Sequence, residues 1–504
     1  MSSKVFSSTT IGLEAKLIEV EADISFALPG FAIVGLPDAS VKEAKDRVRA
    51  AIKNSGINFP ETKVTVNLAP ADIKKEGPVF DLPIAMSILK ASEVVKFDPK
   101  ESIFIGELAL DGSLRHINGV LPIVISARER KVKNIFLPEA NAREASLIPD
   151  LQIFPIKNFL QIISHFKGEK KILPYRSGKF DFSNGAASES DMSEIRGQEH
   201  AKRALEIAAA GGHNVLMCGP PGAGKTMLAR AFSSILPKMS FDEILEVTKL
   251  YSIAGLLSHE KPLITSRPFR APHHTSSGVS LVGGGANPKP GEISLAHRGV
   301  LFLDELPEFS RAVLENLRQP LEDFIIQVSR ARETLIFPAK FILIAAQNPC
   351  PCGYWQSSSR PCKCSMQEVL RYRKKISGPL LDRIEIHLDV PEVKYDKLIE
   401  NQPAESSEKI RRRVEAAREI QTRRFFGAKT LTNSEMSAEE IKKFCQIDDA
   451  SQNLLRQAMT NLHLSARSFS RILKVARTIA DLEKSQNIQT CHIAEAIQYR
   501  PKES

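Results

Sequence analysis

The chain has 504 residues, of which 42% are hydrophobic and 25% charged; this is enough apolar material for about three units and excludes a disordered or fibrous protein. No apolar run approaches the ~18 residues of a membrane span, and the start, Met1 to Lys16, lacks the apolar core of a signal peptide, so a cytoplasmic protein with no membrane partner is expected. Lys and Arg number 69 against 59 Asp and Glu, a net charge of +10, and residues 1–170 hold only 22 basic and 21 acidic of these, which leaves +9 on residues 171–504. That asymmetry fits a polyanionic partner for the later region, and it also fits a plain enzyme.

In chain order, residues 1–166 read as alternating short strands and helices, with helical spacing over Val41–Lys53, strand alternation over Val64–Leu68, and a strand over Ile103–Leu110 ended by Asp111-Gly112. Residues 167–194 turn basic and then rich in Ser, Gly and Asn, the texture of a linker. An α/β block follows over 195–390, a second polar linker over 391–407, and a helical region over 408–504, in which Ser437 and Glu440 have the spacing of a capping box. The fold class expected is a multidomain α/β protein.

The most specific pattern is Gly219-Pro220-Pro221-Gly222-Ala223-Gly224-Lys225-Thr226, set between the apolar run Asn214–Cys218 and the helical run Met227–Ile235. Glycines at that spacing let backbone N–H groups turn inward around phosphate oxygens; Lys225 reaches the outer phosphates, and the Thr226 hydroxyl suits a Mg²⁺ ligand. A second apolar run, Gly299–Leu303, ends in Asp304 and Glu305. Behind a phosphate loop, Asp304 suits the Mg²⁺ shell and Glu305 the attacking water. The run Phe341–Ala346 ends in Gln347-Asn348, and Asn348 is placed to bond the same water or the γ-phosphate. ATP and Mg²⁺ are therefore the expected cofactors.

Four of seven cysteines fall in Cys350-Pro351-Cys352 and Cys362-Lys363-Cys364. Zinc and a set of reduced thiols both fit this spacing, the C-x-C steps being tighter than those of most zinc knuckles. Ile325–Ser329 and Thr334–Phe337 alternate as a hairpin around Arg330-Ala331-Arg332-Glu333, whose arginines either grip phosphates or stay solvated on a turn. Arg371, Arg373, Lys374 and Lys375 form a further basic run, in which Lys374 and Lys375 are expected to contact nucleic acid, and Arg411–Arg413 with Arg423 and Arg424 form another, partly a solvated helix face and a secondary nucleic-acid candidate. His273 and His274 are expected to shape a loop near the nucleotide or a channel rather than to ligate a metal.

These elements resemble the AAA+ ATPases. The segments Arg267-Pro-Phe-Arg-Ala-Pro-His-His-Thr275, Gly283-Gly-Gly285 and Pro290-Gly-Glu-Ile-Ser-Leu-Ala-His-Arg-Gly299 resemble the signature of the magnesium-chelatase-like ComM/YifB family, over essentially the whole chain. The resemblance implies an insert in the second helix, a hairpin before the sensor strand, an arginine finger at Arg383, a second arginine sensor at Arg467 and a lid over 408–504. It further implies a homo-hexamer that acts on single-stranded and branched DNA, by branch migration in recombination and DNA uptake, with recombination proteins as partners. A remodelling ATPase for a metal-insertion enzyme is the other reading. Residues 1–166 resemble the Lon protease domain through Lys75-Glu-Gly-Pro78, Phe104-Ile-Gly-Glu-Leu108 and Asn118-Gly119. A serine–lysine dyad needs a nucleophile just after Gly77-Pro78 and a lysine just after Asn118-Gly119, where this chain has Val79-Phe80-Asp81 and Val120-Leu121-Pro122, so no peptidase activity is expected.

Overall fold

The computed structural model describes residues 2–176, 190–258, 260–285, 288–329, 334–357, 360–393, 404–462 and 464–501. Contacts divide the chain into two compact units, Met1–Phe182 with Ile244–Ile264, and Ser183–Glu243 with Thr265–Ser504. The architecture is α/β in both, as the alternation of strand and helix patterns predicts.

The first unit is built on a seven-stranded sheet of β1 (Ser2–Ile11), β2 (Glu14–Ser25), β3 (Gly30–Val34), β4 (Lys63–Ala69), β5 (Ser102–Phe104), β6 (Asn134–Pro138) and β7 (Gln152–Ile156), in the order β3-β4-β2-β1-β5-β6-β7. The β1–β2 and β2–β4 pairs are antiparallel and the others parallel. Alternation then decides which core each residue enters. Phe104 and Phe136 stack at 4.9 Å in the core beneath α1 (Ala39–Asn54), α2 (Asp81–Ala91) and α5 (Phe159–Lys167), whereas Ile103 and Ile135 enter the opposite core under α3 (Val120–Glu129) and α4 (Glu139–Ala145). Asp38 caps α1 by accepting from the Val41 N–H at 2.8 Å.

The strand expected over Ile103–Leu110 is shorter. It leaves the sheet after Phe104, because the Gly106 N–H donates to Val79 O, and Glu107–Leu108 pair instead with Leu114–Arg115. Segment 244–264, which the sequence order places inside the ATPase block, groups with the first unit: Leu245 and Leu263 pack on the α3 core. Ser252 donates to Glu144 at 2.5 Å, and Glu144 also accepts from the Leu121 N–H at 3.1 Å. One of the two dyad positions is thus taken up in packing the insert.

At the other dyad position, Asp81 is wholly buried and accepts from Arg47 Nε at 2.7 Å and from the Leu108 N–H at 3.2 Å. Burial pushes its carboxyl up to about 6, with Arg47 pulling the other way. Arg47→Ala is expected to cost ~3 kcal/mol, because it strands a buried carboxylate, and adding Asp81→Asn should recover most of the loss in urea unfolding of the full chain. The sign for pH follows from a folded pKa above the ordinary value of 3.8: this group's contribution is full below that value and is lost as pH rises through about 6.

The second unit has a five-stranded, all-parallel sheet. Its strands are β8 (Val215–Cys218), β9 (Phe269–Arg270), β10 (Val300–Leu303), β13 (Ile342–Gln347) and β14 (Ile386–Asp389), in the order β9-β10-β13-β8-β14. The hairpin of β11 (Ile325–Ser329) and β12 (Thr334–Pro338) stands outside it. Helix α6 (Glu199–Gly211) precedes β8, and α7 (Lys225–Ile235) follows it. The C-terminal helices do not form a third unit: Ile410, Val414, Leu455, Ile472, Ile479 and Ile493 share one core with Val215, Ile344 and Ile386. Their apolar faces close the sheet, which is why a separate lid domain over 408–504 is not resolved by contacts.

Candidate nucleotide site

Ligands of parallel α/β sheets bind outside the carboxyl ends of the strands, and three of those ends meet here. After β8 the chain turns through residues 219–224 into α7. Gly222 and Gly224 have φ of +80° and +88°, the left-handed region that glycine enters without steric cost. Gly219 is required for a different reason: a Cβ there would stand 2.1 Å from the Val390 carbonyl oxygen. The turn leaves the first N–H groups of α7 without partners in the helix, facing the place where a phosphate would sit.

Lys225 is 9% exposed, and its ammonium donates to Gly219 O at 2.6 Å, Pro220 O at 2.9 Å and Asn348 Oδ1 at 3.1 Å. Burial lowers its pKa, opposed by the charges of Asp304 and Glu305 among others. Thr226 Oγ1 donates to Asp304 Oδ2 at 2.9 Å, so the hydroxyl at the start of α7 and the carboxylate at the end of β10 converge. Glu305 follows with φ of +51°, and the His274 ring nitrogen lies 3.5 Å from its carboxylate. Asn348 stands just past the end of β13, with the Tyr372 phenol near its backbone. Burial, with Glu308 and Glu305 nearby, pushes the Tyr372 phenol up.

The donor set fits a magnesium nucleotide. One hydroxyl and one carboxylate, both hard oxygen ligands, stand together at the mouth of a loop of N–H groups and one ammonium, as Mg²⁺ held jointly with phosphates requires. Thr226 and Asp304 would hold that ion.

The same conclusion comes from comparison with known proteins. Residues 191–398 match the family described as magnesium chelatase, subunit ChlI; residues 20–141 match the subunit ChlI family of Mg-chelatase, and residues 404–500 its C-terminal family. The competence protein ComM of Haemophilus influenzae is 44% identical over 98% of this chain and 97% of its own length. The chain belongs to the magnesium-chelatase-like ComM/YifB family of AAA+ ATPases. Another member, YifB of Escherichia coli, is 43% identical over 99% of this chain and 97% of its own length. Lon protease 2 of Bacillus subtilis is 32% identical over 141 residues, which are 26% of this chain and 25% of that protein. Among the described residues no helix is long and apolar enough to cross a membrane.

Within the ComM/YifB sequence signature, the arginines are structural. Arg267 pairs with Glu243 at 3.0 Å and donates to Pro237 O and Arg298 O, while Arg270 meets Glu292 through two bonds of 2.6 Å. A cavity of about 90 Å³ lies at the amino-terminal ends of the strands, beside Gly299 and Ile342, away from the phosphate loop. Two of its cations are neutralised within it, Arg267 by Glu243 at 3.0 Å and Lys340 by Glu435 at 2.7 Å, and it is not the nucleotide site.

Among the described residues, Arg383 and Arg467 make no hydrogen bond with Lys225, whose partners are Gly219, Pro220 and Asn348. Arg383 donates to Pro379 O at 2.6 Å and pairs with Glu322 at 2.5 Å. Arg467 is exposed in the first turn of the helix Ala466–Leu482, behind its N-cap Ser465. Arg330 and Arg332 fall outside the described residues. Lys374 is exposed, but Lys375 is held by Glu308 at 3.2 Å. In the other basic run, Arg412 pairs with Glu408 and Arg413 with Glu206 and Glu405, each at 2.5 Å. The Sγ atoms of Cys350, Cys352, Cys362 and Cys364 all lie within 4.8 Å of one another. Sequence reasoning missed the contact of His274 with Glu305; the histidine pair inside the signature was the only local signal for it.

Proposed function

We propose that the chain is an ATP-driven motor that assembles as a homo-hexamer in the cytoplasm, translocates on DNA and migrates branched recombination intermediates, including those formed when foreign DNA is taken up. The observation that carries the ATPase part is the convergence of Lys225, Thr226, Asp304 and Asn348 at the carboxyl ends of the three central strands. The DNA part is supported by the near full-length identity to a competence protein and by the +9 charge on residues 171–504.

In this mechanism the loop N–H groups and Lys225 hold the phosphate tail, and Lys225 exchanges its backbone carbonyl partners for phosphate oxygens. Thr226 and Asp304 would hold Mg²⁺, which supplies charge neutralisation on the phosphates. Glu305 and Asn348 orient the attacking water, and Glu305 accepts its proton. Arg383 enters a neighbouring subunit's site and balances charge on the γ-phosphoryl group, while Arg467 closes on the nucleotide from the C-terminal helices. Zinc at the four cysteines belongs to the same reading.

A remodelling ATPase for a metal-insertion partner is favoured instead by the match to the magnesium chelatase subunit. ATPase rate with and without forked DNA separates the two: stimulation supports the DNA motor, and a DNA-indifferent rate supports the remodelling enzyme.

A further inference from the structure

The four cysteines sit where they can act on the nucleotide loop. Three of their sulfur–sulfur distances are 3.4, 3.5 and 3.7 Å, between Cys350 and Cys352, Cys352 and Cys362, and Cys350 and Cys362. Four thiolates ~2.3 Å from a central zinc would stand ~3.8 Å apart, so the cluster is close to the tetrahedron that zinc needs. The Cys364 N–H also donates to Cys362 Sγ at 3.4 Å, a bond of the kind that orients a thiolate ligand.

Both ends of this loop converge on the phosphate-binding machinery. At its start, Gly219 N–H donates to Gln347 O at 3.2 Å, and Asn348, which bonds Lys225, stands two residues before Cys350. Gly353, directly after Cys352, has φ of +86° and lies against the phosphate loop, since a Cβ there would be 2.5 Å from Pro221 Cδ. At the far end, Cys364 leads into helix α8 (Met366–Arg373), fixed by the Ser365–Glu368 capping box, and α8 carries Tyr372, whose phenol lies near the Asn348 backbone. The segment between the two cysteine pairs is polar, so a metal cross-link is what would hold it in one conformation.

We propose that Cys350, Cys352, Cys362 and Cys364 bind one zinc ion as a strut that fixes Asn348 and Pro221 for nucleotide binding. This positioning role rests on the ATPase reading above.

The experiment measures zinc content and ATP affinity on the same full-length protein. Elemental analysis is expected to give one zinc per chain, and Cys352→Ser to lose it. Releasing the ion with a thiol reagent and a chelator should weaken ATP binding ~10-fold, and adding zinc after reduction should restore it. Gly353→Ala is expected to keep the zinc, which elemental analysis of the variant checks, yet to weaken ATP by a similar ~10-fold factor, because its Cβ displaces Pro221. Absence of metal, or iron in place of zinc, overturns the zinc assignment. Zinc whose release leaves ATP affinity within twofold, in protein whose circular dichroism is unchanged, overturns the strut. Zinc-loaded protein that binds no ATP overturns the ATPase reading and the strut with it, while the metal site stands.

Discussion

Lys225→Ala leaves no productive ATP binding, whereas Glu305→Gln binds ATP at close to the native affinity and turns it over ~10²–10³-fold more slowly. The two effects differ because the two groups act at different stages. Among the described residues Lys225 is the only ammonium bonded within the loop, buried to 9% exposure and directed at Gly219 O, Pro220 O and Asn348, so its charge is already desolvated and waiting for phosphate. Its loss removes ground-state and transition-state binding together. Glu305 touches none of those atoms; it stands past Asp304 at the end of β10, beside His274. Glutamine keeps its shape but cannot take the water's proton, so binding survives and chemistry does not. Fluorescent-nucleotide titration and phosphate release measured side by side check both. A Glu305→Gln variant with native turnover would remove Glu305 from the chemistry.

Arg383→Ala is expected to reduce turnover ~10³-fold or more while ATP affinity changes little. In the isolated chain the guanidinium is held by Glu322 and Pro379 O, so it cannot complete its own site without leaving those partners. A residue that works only on a neighbour makes a further demand. Mixing Arg383→Ala with Lys225→Ala protein should restore part of the activity that each lacks, since the Lys225→Ala subunit donates an intact arginine to a neighbour with an intact loop. No recovery on mixing, with both variants assembling normally, would argue that Arg383 does not act in trans.

The phosphate loop was legible because its chemistry is local: strand, turn and helix follow within some twenty residues, and each glycine has a backbone reason. Asp304 and Asn348 were legible for the same reason, as polar residues at the ends of apolar strands. What failed to show was set by contacts distant in sequence. Gly353 on Pro221 joins positions 132 apart, and the insert 244–264 groups with the first unit through Ser252 and Glu144. Ile103–Leu110 has the apolar content of one long strand, but Val79 O draws Gly106 out of the sheet. Charge runs were the least reliable signal. Lys375, Arg412 and Arg413 read as candidates for nucleic-acid contact and are each paired with an acid, Lys375 with Glu308, Arg412 with Glu408 and Arg413 with Glu206 and Glu405. The C-terminal helices looked separable because a polar stretch precedes them, yet their apolar faces belong to the sheet's own core.

The excess charge on residues 171–504 is to be tested at Lys374, which is exposed, and at Arg330 and Arg332, the arginines that the sequence puts between β11 and β12 and that lie outside the described residues. The most direct measurement is the ATPase rate of the full chain, titrated with forked and three-stranded DNA at several salt concentrations, for the native protein and for the triple alanine replacement of those residues. The expected result is strong stimulation by branched DNA in the native protein, with an apparent affinity that falls steeply as salt rises and a shallower salt slope in the variant. A native rate that no DNA changes, from a protein that binds and hydrolyses ATP, contradicts the assignment to a DNA motor.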